Sequence, residues 1–361
     1  MNAVVRLSLA GLACVAPSGL FGCLPDPRTY DACTDTYSYY SVPPQGCNSH
    51  VLSELAERRA ITSYNDGYMP IESDISMDDT DVYWTGPSGE VLRTSKETSE
   101  TIVVYEGTKA TAVQLESDHS TLYIWRSTRK GTDIADIGEL IAVDKHTLEL
   151  RRITTVESWT PHHLQLFEGN AYVNAGGTTA CLEKIPLDGA VPSCALSGYV
   201  EDFEVTRDGI YFTTWGVSGR NLFKSSDDTS SPLMLATDVS NVLAFEVDRG
   251  KVRWIEINNT TSSLRTVNTQ GDDETVVSMP GSLSNALFQD DQIYAIGQLN
   301  DGSNVARLYS IDSSSIRPIM LAASMSFTTA LAANDKHVYA SVLNYGDKNT
   351  EPTVRLYRVK R

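Results

Sequence analysis

The feature that most constrains the fold is a short apolar motif that recurs along the whole chain. In each copy, a turn rich in Asp, Asn or Gly is followed by an apolar run whose third residue is usually tyrosine. These third residues are Tyr83, Tyr123, Tyr172, Tyr211, Arg253, Tyr294 and Tyr339, spaced by 39 to 49 residues. A period near 40 is typical of four-stranded propeller blades. The 361 residues are therefore expected to form one ring of seven units, although their length would suit two or three average domains.

Each unit has room for four strands. In the fourth unit the apolar runs fall at residues 200–205, 210–214, 221–225 and 233–236, and Asp208-Gly209 marks a tight turn after the first of them. The tyrosine-bearing runs are apolar on both faces, as expected of strands sandwiched between neighbouring sheets. The sequence thus predicts an all-β fold, a seven-bladed β-propeller of four-stranded antiparallel blades.

The ends of the chain indicate how the ring closes. The seventh unit reaches Arg361 after its third strand, so its fourth strand must come from elsewhere. We expect residues 60–64 to supply it, because an N-terminal strand in the last blade removes two exposed edges.

The first residues are typical of an export signal. Arg6 precedes an apolar stretch over residues 7–21, which is too short for a membrane span and suits a secretory signal peptide. The stretch ends in LFGC at Cys23, which resembles a bacterial lipobox. That resemblance implies cleavage before Cys23, acylation (palmitate) of its sulfur and anchoring in the envelope. In Gram-negative lipoproteins, which this leader resembles, an Asp after the lipidated cysteine is a retention signal. Leu24 stands at that position here, which implies the outer membrane. An ordinary signal peptide cut nearby is the alternative.

The cysteines sort by position. Cys14 lies in the leader and Cys23 takes lipid, which leaves an even number for an oxidising compartment. The remaining four are Cys33, Cys47, Cys181 and Cys194. Proximity favours Cys33–Cys47 and Cys181–Cys194 among three possible pairings. The turn at residues 187–189 lies midway between the second pair, so these cysteines should sit opposite each other across a hairpin, within disulfide reach. Two free thiols are the alternative.

These observations divide the chain into three parts. Residues 1–22 are a lipoprotein signal peptide, residues 23–58 a lipidated tether, and residues 59–361 the propeller. The tether should contain the Cys33–Cys47 disulfide and a short helix, since Val51, Leu52, Leu55 and Ala56 follow Asn48 at helical spacing.

The first unit carries the clearest family resemblance. Its VYWT run at residues 82–85 and EVLR run at residues 90–93 resemble degenerate YWTD-type repeats. The region 60–361 resembles bacterial lipoprotein propellers built from such repeats, which are mostly uncharacterised. The resemblance implies a propeller and no particular ligand.

The charge balance limits the partners. Acidic residues outnumber basic ones by 46 to 29, giving a net charge of −17. Nucleic-acid affinity rests on Lys and Arg neutralising phosphates, so nucleic acid is excluded as a partner. The expected partners are the membrane, through the lipid anchor, and an unknown protein, peptide or polysaccharide.

The chain lacks the common hydrolase, metalloprotease and nucleotide-binding motifs. We therefore assign no catalytic residue, metal ligand or cofactor, and favour a protein that is not an enzyme. The acidic pairs, such as Asp78-Asp79, fall where turns belong, and Asp is favoured there because it bonds local amides. The alternative is a lyase or hydrolase at the channel mouth that uses His162 or His163 with a divalent metal.

The binding residues are expected on one face. Loops joining second to third strands, and fourth strands to the next blade, share a face of a propeller, and binding usually resides on loops held by a rigid scaffold. Aromatic and Arg side chains are the usual anchors at such surfaces. The candidates are Trp159, His162, His163, Trp215, Arg220 and Tyr345. The leading hypothesis is a binding or scaffolding module of the cell envelope.

Overall fold

Every regular element that the structure describes is a β-strand. The computed structural model describes residues 53–59, 74–107, 110–129, 136–158, 163–175, 180–216, 219–225, 231–258, 261–279, 281–298, 307–311, 316–321, 327–344 and 353–360. Within these ranges, 28 strands form seven four-stranded sheets, and neighbouring strands in each sheet are antiparallel. The predicted seven-bladed propeller is confirmed.

The blades follow one another along the chain. Blade one contains β2 (Ile75–Met77), β3 (Asp81–Thr85), β4 (Val91–Ser95) and β5 (Thr101–Tyr105). Blade two contains β6 (Ala110–Ser117), β7 (Thr121–Arg129), β8 (Asp136–Asp144) and β9 (Leu150–Ser158). Blade three contains β10 (Leu164–Phe167), β11 (Asn170–Ala175), β12 (Cys181–Pro186) and β13 (Ser193–Ser197). Blade four contains β14 (Phe203–Thr206), β15 (Gly209–Gly216), β16 (Gly219–Ser225) and β17 (Leu233–Val239). Blade five contains β18 (Asn241–Asp248), β19 (Lys251–Asn258), β20 (Thr261–Asn268) and β21 (Thr275–Met279). Blade six contains β22 (Ser282–Gln289), β23 (Gln292–Gln298), β24 (Arg307–Ile311) and β25 (Ile316–Leu321). Blade seven contains β26 (Phe327–Ala333), β27 (His337–Asn344), β28 (Thr353–Lys360) and, from the other end of the chain, β1 (Ser53–Arg59).

The ring closes through β1, which pairs antiparallel with β28 as the outermost strand of blade seven. Closure by an N-terminal strand is therefore confirmed. The strand lies at Ser53–Arg59, just before the expected residues 60–64, which fall outside the described residues. The predicted short helix was wrong where the structure describes it, because Leu55 and Ala56 belong to β1. An isolated one- to two-turn helix is unstable in water, whereas β28 offers a whole ladder of backbone partners.

A charged contact crosses the seam between blades seven and one. Arg58 Nε on β1 lies 3.2 Å from Oε1 of Glu90, a buried carboxylate at the start of β4. The other Glu90 oxygen accepts a 2.9 Å hydrogen bond from the Ser88 amide. A Cβ on Gly86 would lie 2.5 Å from Cδ of Glu90, so glycine at that position leaves room for this side chain. The seam therefore has a specific ion pair in addition to its backbone ladder.

The recurrent tyrosine stabilises the turn before its own strand. Its hydroxyl donates to the aspartate of the turn that precedes its own strand: Tyr83 to Asp78 at 3.1 Å, and Tyr211 to Asp208 at 2.8 Å. Tyr123 makes the same 3.1 Å bond to Asp118. The aspartates also accept from amides of their own turns, for example Asp78 from the amides of Thr80 and Asp81. In blades one, two and four the motif is thus a hairpin turn capped by the tyrosine of the following strand.

Lysines join some of these turns across blade boundaries. Lys145, in the last turn of blade two, donates to Oδ2 of Asp78 in blade one at 2.8 Å and to the Asp118 carbonyl of its own blade at 2.6 Å. Its ammonium also lies 5.2 Å from the centre of the Tyr83 ring. Lys96, at the equivalent position of blade one, lies over the ring of Tyr339 in blade seven. Adjacent blades are therefore tied by cation–carboxylate and cation–aromatic contacts.

Cys181 and Cys194 lie at disulfide distance, with their Sγ atoms 2.07 Å apart. The expectation that they share one blade is confirmed. The expectation that they are directly opposite was wrong: Cys181 pairs with Ser197 and Cys194 with Glu183. The ladder next to the turn pairs Lys184 with Ser193, so the two strands are not in register about the midpoint of the cysteines, and a shift between Leu182 and Glu183 adds one more residue of offset. The bond therefore runs diagonally across the ladder. Cys33 and Cys47 lie outside the described residues.

Candidate functional site

Three of the six residues expected on the binding face fall within the described part of the chain. Trp215 is the last residue but one of β15, Arg220 is the second residue of β16, and His163 precedes β10. Trp159, His162 and Tyr345 lie outside the described residues, as does Cys23. The three described residues belong to blades three and four, where β15 and β16 form a hairpin whose end carries the candidate site.

Trp215 and Arg220 are direct partners across this hairpin. The Arg220 guanidinium lies 5.1 Å from the centre of the Trp215 ring. The indole Nε1 donates a 2.6 Å hydrogen bond to Oε1 of Glu201. The other Glu201 oxygen forms an ion pair with Nε of Arg220. The indole is therefore held at its edge and on one face, yet its side chain remains 59% exposed.

Arg220 connects loops from both sides of blade four. Glu201 lies in the connection from blade three, and Ser240 lies in the connection to blade five. Arg220 Nη1 donates to the Ser240 carbonyl at 2.6 Å and to Oδ1 of Asn241 at 3.3 Å. Because Arg220 is only 9% exposed, its charge is used inside this network and is not offered to solvent.

The connection that carries Glu201 is fixed by backbone contacts. The Glu201 amide donates to the Thr213 carbonyl at 3.0 Å, and the Thr213 amide donates back to the Asp202 carbonyl at 2.9 Å. Asn174 of blade three donates to the Glu201 carbonyl at 2.7 Å. Trp215 is thus positioned by a rigid frame that involves blades three, four and five.

Tyr199 supplies a second exposed aromatic ring, in the connection that contacts the Trp215 strand. Its backbone carbonyl accepts from the hydroxyl of Thr214, the residue before Trp215, and its side chain is 46% exposed. Burial, followed by the Glu201 charge, raises the pKa of Tyr199 above its usual value, and the Arg220 charge opposes this only in part. Its hydroxyl is therefore neutral at physiological pH and can donate or accept a hydrogen bond.

His163 does not form part of this arrangement. Its ring packs edge-on against Phe203, with ring centres 4.9 Å apart, and its amide donates to Oδ1 of Asn174 at 3.3 Å. Burial lowers its pKa to about 4, so the imidazole is neutral at physiological pH. In the structure this side chain packs blade three against blade four. Among the described residues, no group of three or more His, Cys, Asp or Glu side chains could hold a metal ion.

A similar trio in blade five provides an internal comparison. Trp254 and Arg265 are also direct cross-strand partners, 5.1 Å from ring centre to guanidinium, and Glu256 accepts from both. There, however, the tryptophan is fully buried between blades four and five. The trio alone is a structural device, and the feature specific to blade four is that its tryptophan faces solvent.

Sequence reasoning selected Trp215 and Arg220 but missed Glu201 and Tyr199. Both missed residues lie in a connection between blades, more than ten positions before Trp215 in the chain. The one sequence signal for Glu201 was its position as an acidic residue in the connection that precedes a hairpin with Trp215 and Arg220 at its end. That signal becomes specific only when the register of β15 and β16 is known.

Comparison with solved structures supports the fold. A chain of the mitotic checkpoint complex aligns over 90% of this chain and 99% of its own, with 10% identity and a TM-score of 0.57. The β-propeller domain of the trilobed protease from Pyrococcus furiosus aligns over 80% and 95%, with 12% identity and a TM-score of 0.56. The computationally designed Ika8 protein aligns over 83% and 98%, with 12% identity and a TM-score of 0.52.

Structural likeness at such low sequence identity shows the fold alone, a β-propeller, and the count of seven blades comes from the seven sheets of this chain. The archaeal domain is described as having an open velcro topology, whereas this chain closes its ring with β1. No protein-family model matches the chain, and no curated protein does. Within the described residues, no helix is long and apolar enough to cross a membrane.

Proposed function

We propose that this protein is a lipid-anchored, exported binding module of the cell envelope, and that its ligand docks on blade four at Trp215. The observation that carries the binding role is a large aromatic side chain that is immobilised and still mostly exposed. Most tryptophans of a soluble domain are buried, as Trp84, Trp125 and Trp254 are here. A surface tryptophan held rigid by a buried ion pair is a typical anchor of a binding site.

Rigidity favours this role energetically. A side chain that is already fixed loses little conformational entropy when a ligand covers it. The Nε1 bond to Glu201 and the Arg220 contact supply that fixation before any ligand arrives. The proposal includes a protein, peptide or polysaccharide ligand, as the sequence indicated. The likeness to a chain of a multiprotein complex is compatible with a protein partner and does not specify one.

The binding role is tested by capture from membranes. Tagged wild-type protein and Trp215→Ala are crosslinked in intact cells and purified, with Val276→Ala as the control because Val276 is an exposed apolar residue on β21. We expect one captured component that Trp215→Ala loses and Val276→Ala retains. Equal capture by all three proteins would refute a binding site at Trp215.

The anchor is a separate part of the proposal and rests on the leader sequence that ends at Cys23. Radiolabelled palmitate should enter the wild-type protein and be lost in Cys23→Ser, which should also leave the outer-membrane fraction. Unchanged labelling or fractionation in Cys23→Ser would refute the anchor and leave the binding role open.

A further inference from the structure

We infer that the ligand at Trp215 is a neutral glycan whose pyranose ring stacks on the open face of the indole. The inference rests on the proposed function, since it names the ligand class of the same site. It follows from which ring surfaces and polar atoms of the site remain available to a ligand after its internal contacts are formed.

Trp215 can offer only a flat apolar surface. Its one polar atom, Nε1, is already bonded to Glu201 at 2.6 Å, and one ring face lies against the Arg220 guanidinium. With 59% of the side chain still exposed, the opposite ring face is the accessible part. A pyranose ring presents a flat surface of C–H groups that matches such a face, while its hydroxyl groups stay in water.

Extended peptides suit this surface less well. A peptide backbone covered by a binding site must keep its carbonyl groups hydrogen-bonded, because an unpaired buried carbonyl is costly. Tryptophan N–H and arginine N–H groups are natural donors for such carbonyls. Here the indole N–H is used by Glu201, the Nε and Nη1 groups of Arg220 are used by Glu201, Ser240 and Asn241, and Arg220 as a whole is only 9% exposed. A sugar has no such carbonyl in its ring and needs no donor from Trp215.

The local charges favour a neutral ligand. A cationic ligand would share the indole with Arg220, whose charge repels it, and the Glu201 carboxylate is already neutralised by the same Arg220. An anionic ligand would meet Glu201 and Asp202, while the nearby Arg220 charge is 91% covered and already paired. Among the described residues, Tyr199 presents an exposed, uncharged hydroxyl near the charges of Glu201 and Arg220, and this group suits a sugar hydroxyl.

The test uses the purified full-length protein with four probes: neutral glucan, neutral N-acetylglucosamine oligosaccharides, a galacturonan oligosaccharide and a proline-rich peptide. Binding is measured by calorimetry and by protection of tryptophan fluorescence from acrylamide. Among the described tryptophans Trp215 alone is exposed, and Trp159 lies outside the described residues, so the protection that is lost in Trp215→Phe is the part that reports on this site. We expect a neutral oligosaccharide to bind and the charged oligosaccharide and the peptide not to.

The variants distinguish stacking from a change in folding. Trp215→Ala should weaken binding at least about tenfold, Trp215→Phe should retain part of it, and Val276→Ala should leave it unchanged. Tyr199→Phe should weaken binding by about threefold to tenfold, the loss of one hydrogen bond. Binding should change little between about 0.05 and about 0.5 M salt, since no ion pair with the ligand is involved.

Three results would overturn the glycan inference. They are tighter binding of the peptide or the galacturonan than of the neutral oligosaccharides, unchanged neutral-glycan binding in Trp215→Ala, and no binding of either neutral oligosaccharide. If membrane capture still depends on Trp215 in the last case, the proposed binding role stands and only the ligand class is wrong. If capture does not depend on Trp215, the binding role itself fails.

Discussion

Lys145 provides the sharpest test of how the blades hold together. Burial alone would raise the pKa of Asp78, but the hydrogen bond from Lys145, the amides of Asp81 and Thr80, and the Lys145 charge lower it from 3.8 to about 2. A shift of that size corresponds to about 2 kcal/mol of folding stability at neutral pH. The Asp78 side chain is 23% exposed, so solvent screening removes only part of this value.

Lys145→Met removes the Lys145 hydrogen bond and charge but leaves the two amide bonds to Asp78, so we expect it to destabilise the protein by about 1 to 2 kcal/mol at pH 7. Because the pKa of Asp78 is lower in the folded state, the stabilisation is present above pH 3.8 and is lost as the pH falls through about 2. The difference between wild type and variant should accordingly shrink to about half at pH 3. Lys336→Met is the control, since Lys336 is exposed.

Urea unfolding of wild type, Lys145→Met, Asp78→Asn and the double variant measures the coupling between the two side chains. A coupling energy above about 1 kcal/mol at pH 7 is expected for this pair. A coupling below about 0.3 kcal/mol, or a stability difference that is the same at pH 7 and pH 3, would refute the reasoning.

Two further predictions concern the seam and the buried histidine. Glu90→Ala should lower the free energy of unfolding by about 2 kcal/mol, because it removes the Arg58 ion pair and the acceptor of the Ser88 amide. Glu97 is exposed, so the control Glu97→Ala should lower it by less than about 0.5 kcal/mol. Equal urea midpoints for the two variants would contradict a specific seam contact. His163 has a folded pKa of about 4 against an ordinary 6.5, so the unfolded chain takes up the proton first and stability should fall as the pH drops below 6.5. The loss of folding stability should reach about 2 kcal/mol at pH 5, and it should be absent in His163→Gln. An NMR titration of His163 with a midpoint above pH 6 would show that the ring is not buried in solution.

The architecture was accessible from local patterns. A tyrosine that returns every 39 to 49 residues marks a turn and the strand after it, and both are set by interactions within a few residues, such as Tyr83 to Asp78. The count of seven, the four-strand units and the closure by the N-terminus all follow from that repetition. Local patterns also indicated the in-blade disulfide of Cys181 and Cys194.

Interactions between distant parts of the chain decided the rest. Residues 53–59 have an ambiguous pattern, and they form a strand because the free edge of β28, about three hundred residues away in the chain, supplies backbone partners that a short helix in water would lack. The register of the β12–β13 hairpin, which pairs Lys184 with Ser193, likewise placed Cys181 and Cys194 in diagonal and not opposite positions.

The same distinction holds for the candidate site. Residue type alone indicated Trp215 and Arg220, since both are common anchors at interfaces. Whether such a pair is exposed or buried could not be read from the sequence, as the buried Trp254–Arg265 pair of blade five demonstrates. That outcome depends on how neighbouring blades pack, and it is the packing of blades three to five around Glu201 and Arg220 that leaves one face of Trp215 open to solvent.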